Sequence, residues 1–375
     1  MPDNRLPEPD FGLDDIPANP PVHHAEQALL GALLLDPYRI KTIGPLGPEH
    51  FASAGHRALF AAMAALAPPP PALHAKKPVW ITAVLDHARP HARGLTTAYL
   101  HTLVSACPEP AHAAAYARMV RADHARRTVL VHAELLIQAT TDPSLPDPAA
   151  LTLRRADALA SLFDDLAASI PSHPGSLPRT QPPPPQSRAA DPDVASEEQL
   201  LLSTATARPA ALPSMRWLRP EDFALPLHGA LYRCLTALAF RGEPVDAVTV
   251  LWEAQQHGLL TQAFAPKDVL ELLAAPAGPP EHWGEQILFR SLLHHAHTAG
   301  LHIRAYAQDP ANSTHQVITG GRRALADLTA VRVRWQHATS PPPTGPPRTR
   351  PTPASRAGPP APRTTARTAS ARSSR

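Results

Sequence analysis

Two stretches of this chain repeat one another at a nearly constant spacing. Pairs and short runs in the first stretch recur 172 positions later: Glu26-Gln27 as Glu198-Gln199, Leu29-Leu30 as Leu201-Leu202, and Pro48-Glu49-His50-Phe51 as Pro220-Glu221-Asp222-Phe223. Further along, Asp142-Pro143 recurs as Asp309-Pro310, 167 positions later. A spacing this constant over about 130 residues predicts a tandem duplication, in which each copy folds into the same unit.

The largest change in spacing lies between Leu66 and Pro78, and later matches, such as Arg154-Arg155 with Arg322-Arg323, lie at 167 to 168. Up to Leu66 the spacing is 172, whereas Pro78-Val79 matches Pro244-Val245 at 166. The first copy therefore contains six additional residues at this point. Because Pro68 to Pro71 lies there, the insertion is predicted to be a proline loop.

Proline-rich segments divide the chain into five parts. Proline accounts for 48 of 375 residues and is concentrated at both ends and in the middle. The predicted organisation is a disordered N-terminus, a first domain, a polyproline linker, a second domain and a disordered Pro/Arg-rich tail, over residues 1–20, 21–170, 171–192, 193–338 and 339–375.

The apolar patterns within both copies are helical, and the predicted fold class is all-α. No convincing alternating strand is found, and aromatic residues make up only 5% of the chain. Thr96 or Thr97 is placed to cap one helix, Asp246 to cap another, and Gly258 to end the latter. Each copy is predicted to be a helical globule followed by a helical hairpin, with hairpin helices at 111–140 and 148–168, and at 281–307 and 313–336.

Both copies carry apolar and capping positions of a small helical fold: Ala25 to Asp36, Phe51, His56, Phe60 and Tyr116 to Arg121 in copy one, and Phe223, His228, Tyr232 and Arg241 to Val250 in copy two. In their order and spacing these residues resemble the N-terminal domain of the DnaB-type replicative DNA helicase. The resemblance implies domains that pair through their hairpins, form a collar on the helicase ring and dock primase. It therefore implies primase or replicative helicase as partners, and self-association through the hairpins.

Two copies on one chain suggest that such a pair forms internally. The hairpin around Met119, Val120, Val129, Leu130 and Leu135 would then face the hairpin around Ile287, Leu288, Leu292, Leu293 and Ile303. A linker of 22 residues spans up to about 68 Å as polyproline, which is long enough for this arrangement or its alternatives.

Several positions depart from the family pattern. Trp80 stands where copy two has Asp246, so that helix is expected to lack its cap or to start later, at Thr82. Copy two has Ser203 in place of Gly31 and Arg208 in place of Asp36, so its first segment is degenerate.

The sequence predicts no catalytic, cofactor-binding or metal-binding residues. A phosphate-binding loop needs a lysine after glycine, and none of Lys41, Lys76, Lys77 and Lys267 follows one. The only Gly-Gly, Gly320-Gly321, precedes two arginines. The chain is therefore predicted not to be an ATPase on its own, although the family is one of ATP-dependent helicases.

Histidine and cysteine offer the remaining candidates. His294, His295 and His297 are better explained by composition and a solvated helix face than by a metal. His56 and His228 occupy matching apolar positions and are predicted to be buried and hydrogen-bonded. Cys107 and Cys234 do not match between the copies and are predicted to be inert thiols.

The basic charge of the chain belongs to its tail. The net charge is +3, but residues 339–375 hold seven arginines and no acid, so the remainder carries −4. The tail is interpreted as plain disorder or as a weak, nonspecific nucleic-acid contact. The N-terminus has no secretory build and no apolar run is long enough to cross a membrane, so a cytoplasmic location is expected.

Three functions are compatible with this sequence. The favoured one is a non-catalytic primosome interaction module that binds primase or helicase. The alternatives are an accessory subunit that acts with a separate motor chain, and a nucleic-acid-binding regulator that uses the basic tail.

Overall fold

The computed structural model describes residues 19–74, 76–169, 177–184, 192–262 and 264–340. The described residues are helical and contain no strand beyond an isolated bridge between Thr261 and Phe264, so the predicted all-α class is confirmed. The chain divides into two units, Met1–Thr339 and Ser340–Arg375, and the helices lie in the first. The predictions of disorder for the N-terminus and the tail concern residues that, except for 19–20, 339 and 340, lie outside the described ranges.

Copy one forms five helices and a hairpin of two longer ones. They are α1 (Pro21–Leu35), α2 (Ala54–Ala65), α3 (Pro71–His74), α4 (Val79–Ala88), α5 (Thr97–Ser105), α6 (Ala113–Thr141) and α7 (Pro148–Ser169). The short helix α3 lies in the predicted proline insertion.

Copy two repeats this order without an equivalent of α3. Its helices are α8 (Pro192–Ala207), α9 (Pro226–Arg241), α10 (Ala247–Gln256), α11 (Pro266–Leu272), α12 (Pro280–Gln308) and α13 (Thr314–Thr339). The first hairpin helices, α6 and α12, both have 29 residues and both end at an Asp-Pro pair. Proline disfavours the helical conformation in the residue before it, so Pro143 and Pro310 explain the common end point.

The predicted caps form in both copies. The Asp246 carboxylate accepts hydrogen bonds from the amides of Val248 (2.8 Å) and Thr249 (2.9 Å), and Gly258 follows α10 with a φ of +68°. In copy one, Thr96 rather than Thr97 caps α5 by accepting from the amide of Tyr99. These side chains satisfy amides that the helix itself leaves without a partner.

Of the two alternatives for the Trp80 helix, the structure confirms the lost cap and excludes the late start at Thr82. Helix α4 begins at Val79, without a side-chain cap, so Trp80 lies in its first turn. The indole is buried and donates a hydrogen bond to the carbonyl of Leu33 in α1 over 3.1 Å. Burial of a large aromatic side chain with its N–H satisfied stabilises this turn in place of a cap.

Helix packing explains why the copies differ at Gly31 and Ser203. A Cβ atom on Gly31 would lie 2.1 Å from the carbonyl oxygen of Leu103, so α1 and α5 can pack closely only with glycine there. In copy two, the Ser203 hydroxyl instead donates to the carbonyl of Ala275 over 3.1 Å. The serine is therefore a satisfied contact of α8, not a sign of a degraded domain.

The apolar core is divided unequally between the copies. One cluster fills the copy-one globule from α1 to the first part of α6. The other joins the whole of copy two to the copy-one hairpin, from Val129 of α6 to Phe163 of α7. The two copies are thus connected by packing as well as by the chain.

The segment predicted as a polyproline linker is partly docked. Residues 177–184 are described and make hydrogen bonds with α12, α13 and the turn between them. Because asparagine and glutamine side chains of copy two bond its backbone groups, this part is not a free spacer. None of the helices among the described residues is long and apolar enough to cross a membrane.

Candidate interaction surfaces

The two hairpins pack against each other within the chain. Helix α6 contacts α12 from about Arg126 to Thr140, and α7 contacts α13. The copy-one residues in the shared core are small or apolar: Val129, Ala133, Leu136, Ala149, Ala156, Leu159 and Phe163. The structure therefore brings together the hairpins that the duplication suggested would face each other.

Some residues predicted for this interface lie elsewhere. Met119 is 55% exposed, and Val120 belongs to the core of the copy-one globule. Leu136, not Leu135, is the fully buried leucine of this part of α6. The sequence pattern missed this because α6 serves two cores in turn, the globule near its N-terminus and the hairpins thereafter.

Two glycines of copy two allow the hairpins to approach closely. A Cβ atom on Gly300 of α12 would lie 2.7 Å from Cγ1 of Ile137 in α6. A Cβ atom on Gly321 of α13 would lie 2.2 Å from Cζ of Phe163 in α7. The Gly-Gly pair noted in the sequence is thus a helix-packing site rather than a phosphate-binding loop.

Arg126 of copy one caps a helix of copy two. Its guanidinium donates to the carbonyl oxygens of Ala307 (3.2 Å), Asp309 (2.5 Å) and Asn312 (2.6 Å). The last carbonyls of a helix have no partner within it and carry partial negative charge, so a cation there is favourable. This arginine thus satisfies the C-terminal end of α12 across the interface.

Ion pairs and a hydrogen bond surround the shared core. They are Glu134 with Arg304 (3.2 Å), Asp164 with Arg322 (2.5 Å), Asp157 with Arg332, and Thr140 with His297 (2.9 Å). The carboxylates come from copy one and the arginines from copy two. Each exposed ion pair contributes little to stability alone. Because carboxylates of copy one face arginines of copy two, the set of pairs favours this register of the hairpins.

His56 and His228 are buried and hydrogen-bonded, as predicted. Nδ1 of His56 lies 2.6 Å from Oε2 of Glu26, and Nδ1 of His228 lies 2.9 Å from Oε2 of Glu198. The other oxygen of Glu26 accepts from the amide of Ala52 over 2.5 Å. Each pair therefore ties the first helix of a copy to the start of its second helix.

The glutamate partners were not identified from the sequence. The available signal was their spacing, because Glu26 and Glu198 are related by the same 172 positions as His56 and His228. Copy one adds Tyr99, whose hydroxyl lies 2.6 Å from Nε2 of His56. Burial raises the pKa of the Tyr99 phenol.

The remaining histidine and cysteine candidates are partly or fully buried. His297 contacts Thr140 across the hairpin interface, and burial lowers its pKa. His295 Nδ1 lies 2.8 Å from the carbonyl oxygen of Ser291. Burial raises the pKa of Cys107 and raises that of Cys234 to about 11. No group of three or more potential metal ligands is found among the described residues.

Copy two carries exposed apolar side chains beside two grooves. Phe240 is 85% exposed at the edge of a groove of about 370 Å³ that Leu212, Met215, Arg216 and Tyr232 also line. Val248 and Trp252 of α10 line a second groove with Leu238 and Arg241. Exposed aromatic residues beside grooves are typical of protein-binding surfaces.

The equivalent surface of copy one is polar at the two positions that carry Trp252 and Val248 in copy two. Val84 and Ala88 of α4 are fully buried, as are Val250 and Ala254 of α10, which confirms the spacing of 166 between these helices. At that spacing Trp252 corresponds to Asp86, and Val248 to Thr82. The copies therefore share a buried face and differ in the face they expose.

Comparisons with known proteins agree with the repeat. The family model described as the DnaB-like helicase N terminal domain matches residues 18–122 and 190–284, more than half of the chain. The chain is also similar to the "Replicative DNA helicase DnaB" of Mycobacterium leprae (strain TN), with 38% identity over 68 residues. This match covers 18% of the chain and 11% of that relative, so it spans about a tenth of the relative's length. No solved structure matches the chain significantly.

The matched segments coincide with the globule of each copy. The first covers α1 to α5 and the start of α6, and the second covers α8 to α11 and the start of α12. Within both segments the same Glu–His pair joins the first helix to the second. The chain belongs to the DnaB-like helicase N-terminal domain family and carries two tandem copies of that domain.

Proposed function

We propose that this protein acts in DNA replication as a non-catalytic interaction module, whose paired domains bind primase or the replicative helicase. The observation that supports this most is the pairing of two family domains within one chain, across α6–α12 and α7–α13. Such a pair presents two globules on one helical base, which suits a scaffold for other proteins. We place it in the cytoplasm and expect it to show no ATP hydrolysis of its own.

The partner surface that we propose is the exposed face of α10 in copy two. Trp252 is 62% exposed and Val248 is 68% exposed, and the groove beside them opens to solvent. Tryptophan is enriched among the residues that dominate binding energy at protein interfaces. A polar residue, Asp86, occupies the corresponding place in copy one, so the chain provides its own internal comparison.

The first experiment is a calorimetric titration of the full chain with the C-terminal domain of the primase from the same organism, at two salt concentrations. We expect saturable binding of micromolar affinity or better that changes little with salt, because exposed charges are screened and buried apolar contacts are not. No heat at either salt concentration would reject primase as the partner, and the replicative helicase would then be titrated in the same way.

Variants then locate the surface. Trp252→Ala should weaken binding at least tenfold, because truncation of a central aromatic residue at an interface costs about 2 kcal/mol or more. Asp86→Ala, at the matching position of copy one, is the control and should leave the affinity unchanged. Equal affinities for both variants and the unmodified chain would exclude the α10 face while leaving primase binding itself intact.

Light scattering tests the internal pairing separately. Because the hairpin faces of both copies are already buried against each other, we expect the mass of one chain in solution. A mass of two chains or more, maintained on dilution, would contradict a self-contained pair.

A further inference from the structure

Residues 177–184, here called the strap, lie against the turn between α12 and α13. The backbone amide of Arg179 donates to Oδ1 of Asn312 over 2.7 Å. The Thr180 hydroxyl donates to the Asp309 carboxylate and accepts from Nδ2 of Asn312 over 2.7 Å. Side chains of the α12–α13 turn therefore make hydrogen bonds both with the backbone of the strap and with its threonine hydroxyl.

Further contacts extend along the strap. Nε2 of Gln316 donates to the carbonyl of Leu177 over 2.9 Å, and Nε2 of His302 lies 3.1 Å from the carbonyl oxygen of Pro183. Pro178 packs against Gly320, where a Cβ atom would come within 2.4 Å of the proline ring. Pro178, Thr180 and Pro183 are half-buried while the other strap residues are exposed, so one side of the extended segment faces the helices.

The binding groups are particular to copy two. Asn312 is 1% exposed, and it corresponds to Leu145 in copy one at the spacing of 167. At the spacing of 168 that relates Arg154-Arg155 to Arg322-Arg323, Gly320 corresponds to Thr152. Asp142, which matches Asp309, accepts hydrogen bonds from Ser144 within its own turn. Only the second hairpin thus carries the set of groups that contact the strap.

The same turn contacts the other copy. The carbonyl of Asn312 accepts from Arg126 of α6, while its side chain bonds Arg179 and Thr180 of the strap. The hydrogen bond from Thr180 also lowers the pKa of the Asp309 carboxyl, as expected for a carboxylate that accepts it. One buried asparagine therefore connects the strap, the α12–α13 turn and the copy-one hairpin.

We infer that the outer face of the α12–α13 turn is a binding site for an extended, proline-containing peptide, and that the chain's own strap is its ligand. Docking of the strap orders the turn that Arg126 contacts, and so supports the pairing of the two hairpins in one chain. The linker is then a structural part of the module that occupies a defined binding site, rather than a spacer between two independent domains.

Trypsin cleavage between Arg179 and Thr180 in the full chain tests this site. The strap must dissociate from the α12–α13 turn before it can enter the active site of the protease. The cleavage rate therefore reports the fraction of chains whose strap is dissociated. Thr180→Val removes both threonine hydrogen bonds without altering the hairpin, and should raise the cleavage rate about tenfold. Gln181→Ala, an exposed neighbour in the strap, is the matched control and should leave the rate unchanged.

Asn312→Leu introduces the copy-one residue on the hairpin side and should also raise the rate, with circular dichroism verifying its helix content. Cleavage after Arg188 in the same linker provides an internal reference in every sample. Equal rates in the unmodified chain, Thr180→Val and Asn312→Leu would overturn the inference.

A binding measurement in trans completes the test. Replacing residues 177–184 by glycine and serine leaves the peptide site without its own strap. This chain should bind a fluorescent peptide of residues 177–184 with a saturable rise in anisotropy. The same replaced chain with Asn312→Leu should bind it at least tenfold more weakly. No binding to the replaced chain, or equal binding to both, would show that the face is not a peptide site.

Discussion

Replacing Gly321 with alanine puts a methyl group where the ring of Phe163 already lies. The new Cβ atom would be 2.2 Å from Cζ and 2.5 Å from Cε2 of that ring. Carbon atoms in contact are normally about 3.5–4.0 Å apart, so the methyl is more than about 1 Å too close. Because Phe163 is fully buried, the ring cannot swing into solvent, and α7 and α13 must separate.

Two opposing terms decide the magnitude. Overpacking of a buried contact costs about 1–3 kcal/mol, and this approach belongs at the upper end. Alanine in place of glycine inside a helix contributes about 1 kcal/mol in the opposite direction. We therefore expect Gly321→Ala to lower the free energy of unfolding by about 2 kcal/mol.

The second variant reverses the sign. Phe163→Ala alone should cost about 3–5 kcal/mol, because a fully buried ring is removed. In that background the clash is absent, so Gly321→Ala should stabilise the chain by about 1 kcal/mol through helix propensity. The two substitutions should thus be coupled by about 3 kcal/mol, as neighbours in a packed interface are.

Urea denaturation followed by far-ultraviolet circular dichroism measures this cycle, since the described fold is helical throughout. All four chains are compared at the same concentration. If Gly321→Ala stabilises the unmodified chain as much as it does the Phe163→Ala chain, the hairpins do not pack as described and the reasoning fails.

Three further predictions concern single sites. Glu26→Ala should destabilise the chain by about 1–3 kcal/mol in urea denaturation, because it leaves the buried imidazole of His56 and the amide of Ala52 without their carboxylate partner; no loss of stability would contradict this. Iodoacetamide at pH 8 should label Cys107 well before Cys234, whose pKa is raised to about 11 by burial, and mass spectrometry of the digest would show the opposite order if this is wrong. Asp246→Ala should cost about 1 kcal/mol in the same denaturation assay by removing the cap of α10, and no change would refute the capping role.

Local features of the fold could be predicted because their causes are local. Asp246 caps α10 through amides two and three residues away, and Pro143 and Pro310 end their helices through the residue before them. The tandem repeat followed from residue spacing alone. The sequence also contained a signal for the Glu–His pairs, because both partners recur at the same spacing. Assigning the partners to each other required knowing that the first two main helices of each copy pack together.

Other features depend on contacts between residues far apart in the chain. Trp80 replaces a cap because the carbonyl of Leu33 lies beside its indole, 47 positions away. Gly321 is required by Phe163 of the other copy, and nothing near either residue in the sequence indicates that contact. The strap was predicted as a spacer because proline-rich composition describes its stiffness and not its partners.

The sequence by itself determined the helical class, the caps of α5 and α10, the ends of the first hairpin helices and the division into two related copies, because these follow from interactions within a few residues or from the repeat itself. The tertiary structure decided how the copies meet. Which helix faces are shared, which glycines allow close approach, and where residues 177–184 dock depend on shape and hydrogen-bond complementarity between distant segments. Such complementarity exists only once the chain has folded, since each surface is assembled from several helices.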